Sequence, residues 1–387
     1  MDVLGKMEEL AESAKYDISC ACSSVERSHS PEDPLHKWIY PAVLPDGRQM
    51  PVLKILQNNF CVNDCAYCIN SAGAVRRAVS FGPEELARAF MDMHAKGLVH
   101  GLFLSSAIGF DARETMEDMI KTVEIVRKKY AFRGYIHLKI LPGASFSHVE
   151  RAVEIATRVS VNLEAPGPER LSLIAPCKDF GELMTKMKWI DIASAQKYSR
   201  TGLWPSQSTQ FVVGASDETD RETIKTVEKL YGKFRLARAY FSAFQPVAGT
   251  PLEGHAPVPL AREHRLYQAD FLLRKYGYKY SELIFDRTGN LPLENDPKTL
   301  WAQKHPGKFP LEVNRAEPGE LMRVPGIGPL RAKKIVKARL EGKITRFEDL
   351  KALGVSIDKS AQYLMVDGSQ MKRPEQTYFD FGLAANG

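Results

Sequence analysis

The chain lacks any apolar run long enough to cross a bilayer. Its opening residues, MDVLGKMEELAES, place acidic groups where a secretory leader needs an unbroken apolar stretch. Together these absences lead us to expect a cytoplasmic protein with no membrane partner. Cysteine is scarce, six in 387 residues. In a reducing compartment a tight cysteine cluster argues for metal binding or catalysis and against disulfides. Acidic residues are thin in one segment: from Arg315 to Arg346 nine basic residues stand against three acidic ones, an excess of six, while the whole chain carries +6. The remainder is close to neutral, so the excess marks a local site for a polyanion. Apolar residues make up 44% and charged residues 26% of the chain, values expected of a soluble globular protein with a real core.

Apolar runs recur along the middle of the chain, each followed by a helix-like pattern. The strand candidates are VLKIL (52–56), GLFLSS (101–106), YIHLKIL (135–141), RVSVNLE (158–164), TQFVVGA (209–215) and RLARAYFSAFQP (235–246). Helical stretches such as PEELARAFMDMHAKG, with Pro83 early and Gly97 at its end, lie between them. Continuous apolar strands alternating with helices predict a buried parallel sheet. Six such units predict an α/β fold with an open or partial barrel. Functional residues of such folds gather just after the strands. The divisions expected are an N-terminal extension (1–50), the barrel (51–285), a linker region (286–313), a small all-α domain (314–366) and a tail (367–387).

Residues 61–68 read CVNDCAYC. Structural zinc sites use four ligands, commonly paired, and ordinary electron-transfer clusters use four thiolates. Three thiolates at C-x3-C-x2-C leave one iron of a [4Fe–4S] cluster open to a chelating small molecule. Cys61, Cys65 and Cys68, with Tyr67 in the aromatic place, resemble the cluster motif of the radical S-adenosylmethionine (SAM) enzymes. That resemblance implies a partial (βα)6 barrel of TIM type, a [4Fe–4S] cluster, SAM bound at the open iron, and an electron donor such as flavodoxin or ferredoxin. It also implies cleavage of SAM to a 5′-deoxyadenosyl radical that abstracts hydrogen.

Further positions follow from the same resemblance. Ser105 and Ser106, with Ala107, occupy the place where the family often has a Gly-Gly-Glu type of stretch for the SAM amino group. With neither glycine pair nor acid present, backbone or hydroxyl contacts serve here. VNLEAP resembles an Asn-x-Asp/Glu pair, so Asn162 and Glu164 are expected on the SAM ribose or amino group. TQFVVGASDET resembles the strand that packs on adenine, which nominates Gln210 and Gly214. FQPVAGTPLE resembles a sixth-strand turn of some members. Lys139 either meets an anion inside the barrel or forms a structural salt bridge. Cys177 reads as a buried small hydrophobe. Cys20 and Cys22 of YDISCAC read the same way, or as metal ligands or hydrogen-atom donors in catalysis.

Residues 314–340 read NRAEPGELMRVPGIGPLRAKKIVKARL. A short helix (318–323), the tight turn PGIG and a second helix are expected. Gly326 and Gly328 are expected to allow positive φ, and with Ile327 they form a hairpin whose N–H groups can hold a phosphate. Arg331, Lys333, Lys334 and Lys337 on the following helix add attraction to a nucleic-acid backbone. The segment resembles the helix-hairpin-helix motif of DNA repair and recombination proteins, and residues 346–364 look like a degenerate second copy.

GLFLSS, GYIHLKILPGAS, SVNLEAP, TQFVVGA, REHRLYQADFLLR and DPKTLWA together resemble the DNA modification/repair radical SAM protein family. The likeness spans most of the chain. It implies DNA as substrate, in repair or modification, and a uracil-DNA-glycosylase-like protein as partner. The alternatives left open are a radical enzyme acting on tRNA or rRNA, and a DNA-binding protein whose cluster is structural or redox-sensing. EQTYFDFG (375–382) resembles peptides that dock on bacterial sliding clamps; the other reading is a tail that folds back on its own protein.

Overall fold

A computed structural model describes residues 1–14, 38–43, 49–73 and 77–371. Cys20, Cys22 and the 375–382 segment lie outside these described residues. The chain divides into two compact units: Met1–Asp270 with Phe285–Leu291, and Phe271–Ile284 with the residues from Pro292 onward. No helix among the described residues is long and apolar enough to cross a membrane.

The first unit opens with helix α1 (Val3–Ala14) and is dominated by one curled sheet. Its strands are β1 (Ile39–Val43), β2 (Gln49–Leu56), β3 (Gly101–Ser105), β4 (Tyr135–Lys139), β5 (Arg158–Ser160), β6 (Ser206–Val213) and β7 (Leu236–Ala243), paired in that order. From β2 to β7 all pairs are parallel. These six strands are the six apolar runs of the sequence, folded as a partial barrel. All five residues of β3 are buried, as a strand covered on both faces requires. The seventh strand, β1, pairs antiparallel with β2 at one end of the sheet. It lies in the stretch read as a Pro-rich extension. Pro41 has no N–H to donate, which hides the strand in the sequence and is tolerated at a sheet end.

The connecting helices begin where the sequence supplies caps. Helix α2 (Pro83–Ala95) starts on Pro83 with Glu84 and Glu85 in its first turn. Helix α3 (Ala112–Lys128) is capped by the Asp111 carboxylate, which accepts from the N–H groups of Arg113 and Glu114. Ser145 caps α4 (Phe146–Ile155), and Asp179 caps α6 (Phe180–Thr201), which follows the short α5 (Pro168–Ile174). Helix α7 (Asp220–Lys233) has a reciprocal box: Glu222 N–H donates to Thr219 Oγ1 at 3.2 Å, and Thr219 N–H donates to Glu222 at 2.7 Å.

Helix α8 (Leu260–Tyr276) crosses the boundary between the units. The second unit holds α9 (Pro297–Lys304), inside the stretch read as a linker, and α10 (Pro318–Leu321). Then come α11 (Pro329–Glu341), α12 (Phe347–Ala352) and α13 (Ile357–Ser360). A small sheet accompanies them, which corrects the all-α expectation. In it β8 (Leu311–Glu312) runs parallel to β9 (Leu364–Val366), and β10 (Ser369–Gln370) runs antiparallel to β9. Strands of two and three residues leave too short a pattern to read from sequence.

One buried carboxylate ties the first unit together after β6. Asp220, 0% exposed, accepts from Arg262 Nε at 2.7 Å and from the Leu291 N–H at 2.9 Å. Replacing it removes the main partner of the half-buried Arg262 guanidinium, which keeps only Glu218 among the described residues, and leaves the Leu291 amide unpaired. Asp220→Ala is expected to lower the unfolding free energy by about 3 kcal/mol, read as a lower denaturant midpoint. An unchanged midpoint would show that this carboxylate does not hold the helix to the 285–291 segment.

Candidate functional site

The C-terminal ends of the six parallel strands surround a cavity of about 390 Å³, a size that suits a small molecule. Every parallel strand or the residues just beyond it contributes to the lining: Leu56, Ser105, Lys139, Asn162, Gln210 and Ser242 among them. Tyr67, Ser106, Glu164 and the three loop cysteines join them. Of the site residues expected in this unit and described here, only Gly214 is absent from the lining. Its φ is +83°, and a Cβ there would lie 2.3 Å from Val258 Cγ2. The requirement for glycine at this position is therefore conformational. A second depression, about 650 Å³, lies between α2 and α3, but it is open to solvent, and its charged groups include the surface pairs Lys129–Glu84 and Lys128–Glu124.

The cysteine loop is fastened by its backbone. Val62 N–H donates to Ile108 O at 2.9 Å, Ala66 N–H to Ile174 O at 2.8 Å, and Ala72 N–H to Asn63 O at 2.7 Å. Cys61 Sγ accepts from the Ile108 N–H at 3.4 Å. The thiols differ in character. Burial raises the pKa of Cys61 and pushes Cys68 up to about 12. Cys65 is lowered to about 6, first by the Cys177 thiol and then, against burial, by the Lys178 charge. The Cys65 and Cys177 sulfurs are 3.8 Å apart. Cys177 is exposed, which corrects its reading as a buried hydrophobe.

Lys178 is the residue that the sequence reading missed. Its Nζ donates to Glu164 Oε1 at 2.9 Å and to Tyr67 Oη at 3.2 Å. Burial opposes the charge, but Cys65 and Glu164 beside it hold its pKa above the ordinary lysine value. Burial likewise raises the pKa of Tyr67. Lys178 stands between α5 and α6, not after a strand, and a search confined to strand ends passes over it. Glu164 has φ +63°, rare outside glycine, and is pinned there by its N–H on Gln210 O at 2.9 Å and its O on Val212 N–H at 2.8 Å. Strain held in place by neighbouring bonds is a mark of functional positions.

The lining fits a cluster and a polar, cationic cofactor. Asn162 and Asn70 line the cavity, and the buried Oδ1 of each has no hydrogen-bond partner among the described residues. Such acceptors are costly to leave unpaired, and a ligand's ammonium or hydroxyl groups satisfy them. Among the described residues no three His, Cys, Asp or Glu side chains converge as for a single ion. Thiolates that bind separate corners of a cluster need not converge.

In the second unit, Val324 to Gly328 turn tightly between α10 and α11. Gly326 has φ +85°, and a Cβ there would lie 2.6 Å from Ser360 Oγ. Gly328 has φ −100°, so the expectation of positive φ holds for Gly326 alone. Gly328 is needed for room, since a Cβ would lie 3.0 Å from the Tyr276 hydroxyl. Ile327 is buried between them. The N–H groups of Gly326 and Gly328 donate to no group among the described residues. Lys333, Lys334 and Lys337 are exposed on α11, while Arg331 Nε is engaged by Gly354 O. Gly354, at φ +85°, turns the second, similar hairpin between α12 and α13.

Residues 55–230 match the family described as the Radical SAM superfamily, and residues 310–355 match the helix-hairpin-helix motif. No curated protein matches the chain. Solved structures similar to it include the FeFe-hydrogenase maturase HydG from Carboxydothermus hydrogenoformans, at 13% identity and a TM-score of 0.45, covering 56% of this chain and 50% of that one. Methylornithine synthase (PylB) is similar at 15% identity and a TM-score of 0.47, with 57% and 60% covered. A radical SAM methyltransferase from Sphaerobacter thermophilus is similar at 12% identity and a TM-score of 0.41, with 68% and 84% covered. The chain spans 48% and 50% of the two HydG maturase structures that it matches. By the family matches, residues 55–230 form a Radical SAM superfamily domain, whose cofactors are a [4Fe–4S] cluster and S-adenosylmethionine, and residues 310–355 carry a helix-hairpin-helix motif.

Proposed function

We propose that the protein is a radical SAM enzyme that modifies or repairs DNA held by its helix-hairpin-helix segment. The observation that carries this reading is the pairing, in one chain, of a cavity walled by three cysteines with a hairpin whose free N–H groups precede a basic helix. Cys61, Cys65 and Cys68 hold the cluster, and the cluster with SAM, when bound, supplies a radical able to abstract hydrogen. Asn162, Glu164, Ser105, Ser106, Gln210 and Tyr67 orient SAM in the cavity. Lys178 fixes Glu164 and Tyr67 and places a positive charge beside the thiolates. An electron donor such as flavodoxin or ferredoxin reduces the cluster.

The hairpin and Lys333, Lys334 and Lys337 grip the phosphate backbone. A base stacked in a duplex does not enter a barrel mouth, so the target is flipped out or single-stranded. The resemblance to the DNA modification/repair family supports DNA over RNA, a uracil-DNA-glycosylase-like partner, and action in the cytoplasm.

The protein purified without oxygen, loaded with its cluster, reduced with dithionite and given SAM is expected to release 5′-deoxyadenosine. Cys61→Ala is expected to release none. An intact reduced cluster that neither binds nor cleaves SAM, with or without DNA, would leave a nucleic-acid binder with a cluster of another purpose. Asn162→Ala is expected to weaken SAM binding about tenfold while the cluster's electron paramagnetic resonance signal stays in place, because it removes an acceptor worth about 1.4 kcal/mol. Equal SAM affinity in this variant would remove Asn162 from the site. Replacing Lys333 and Lys334 by Ala is expected to weaken binding to DNA of any sequence and to flatten its salt dependence by about two ion equivalents. Competition with tRNA in the same assay separates DNA from RNA: preferential displacement by tRNA would move the reading to an RNA-modifying enzyme.

A further inference from the structure

The hairpin's two free N–H groups belong to peptides that are held at their far edge from inside the second unit. A peptide group carries its carbonyl and its N–H on opposite edges, and a donor on the carbonyl polarises the N–H. In the Pro325–Gly326 peptide, Pro325 O accepts from Ser360 Oγ at 2.9 Å, and the single hydroxyl proton is shared with Ser356 O at 2.7 Å. In the Ile327–Gly328 peptide, Ile327 O accepts from Lys298 Nζ. A charged donor polarises more strongly than a shared hydroxyl, so Gly328 presents the stronger of the two N–H groups.

Lys298 itself is an unusual cation. It is 8% exposed, and its ammonium sits 4.8 Å from the centre of the Tyr276 ring. No carboxylate among the described residues lies within ion-pair distance of it. The acid whose charge acts on it, Asp296, caps α9, where its oxygens accept from the N–H groups of Lys298 and Thr299 and from the Thr299 hydroxyl. Burial lowers the Lys298 pKa to about 7, with Asp296 opposing and Arg323 adding to the fall. Around it stand Tyr276 of α8, itself close to Arg331 of α11, and Arg323 after α10, which lies over the Tyr278 ring. Lys359 of α13 adjoins Gly326. His305, at the end of α9, is stacked on Trp301. Arg323 is itself paired with Glu282 at 2.8 Å, but the Lys298 ammonium has no anion in contact among the described residues, a costly arrangement that an incoming anion relieves.

We propose that Lys298 is a positioning residue of a phosphate site on the hairpin: its ammonium polarises the Ile327–Gly328 peptide so that the Gly328 N–H grips a backbone phosphate, and that phosphate supplies the anion that the buried ammonium lacks. This rests on the reading that the hairpin holds a nucleic-acid backbone. It makes binding proton-linked. The phosphate raises the Lys298 pKa, so affinity is full below the free-state value and falls as pH rises through it.

The test is binding of the full-length holoprotein to a labelled DNA duplex at constant ionic strength. The wild type is expected to weaken about fivefold from about pH 6.5 to about pH 8.5. Lys298→Met is expected to bind more weakly at the lower pH and to lose the slope, with His305 still present. Lys298→Gln, which keeps a donor without the charge, is expected to be flat as well. Calorimetry of the wild type in buffers of different ionisation heat reads the same link without a variant, as proton uptake on binding. Absence of proton uptake, or a Lys298→Met protein that binds as the wild type does with the same slope, overturns the role of Lys298. Gly328→Asp is the control for the underlying reading. If it loses binding while Lys298→Met does not, only the role of Lys298 falls; if it binds DNA as the wild type does, the hairpin is not the phosphate site and both fall.

Discussion

The pair formed by Lys178 and Glu164 is the constraint on which the cavity depends. Their charged groups are 2.9 Å apart, and the side chains are 11% and 5% exposed. An ion in such a place is tolerated only with its partner; losing either one leaves a buried charge at a cost of about 3–5 kcal/mol. The bond also sets the geometry. Glu164 comes from the segment beyond β5, Lys178 from the connection between α5 and α6, and Tyr67 from the cysteine loop, and one ammonium ties all three. The strained backbone of Glu164 becomes intelligible in this light. The residue is held at positive φ by two ladder bonds to β6 while its carboxylate meets the lysine.

Most of this fold is written in the sequence at short range. The six parallel strands are continuous apolar runs because both faces are covered, and the helices between them announce their starts through Asp111, Ser145, Asp179 and Thr219. The cavity residues after the strands were legible for the same reason, since parallel strands bring their C-terminal ends together whatever the intervening lengths. What escaped was set by tertiary contact. β1 contains Pro41 and depends on β2 for its register. Cys177 and Lys178 sit in a loop with no periodic signal, and only the packing of α5 against the cysteine loop brings them to Cys65 and Glu164. Gly214 stood in a motif that resembled an adenine contact, but the close approach of Val258 explains the glycine.

The hairpin shows the same division between local pattern and distant support. PGIG is readable from its glycines, although for two different reasons: Gly326 supplies a backbone angle and Gly328 supplies room beside Tyr276. The buried donors beneath it, Lys298 and Ser360, lie 29 and 35 residues from the carbonyls they hold. A lysine at the start of a helix looks like any solvated surface charge in the sequence. Its burial here follows from the docking of α9 within the second unit, and no local pattern encodes that.

The two sites place different demands on recognition. Backbone N–H groups and lysines that meet phosphates meet the same group at every nucleotide, so they fix position without reading sequence. On the proposed function, discrimination of the target therefore falls to the cavity, where a nucleotide's own edges meet side chains. The groups suited to that task are those that the cluster and the pinned Glu164 do not already engage, such as Ser242 and Gln245 at the end of β7. Gln245 donates through Nε2 to Val258 O at 2.8 Å, which aims its amide carbonyl by fixing its nitrogen. On that reading a target is selected by what fits beside SAM once its phosphate is held, and the strength of the phosphate grip bears on how often that trial is made rather than on its outcome.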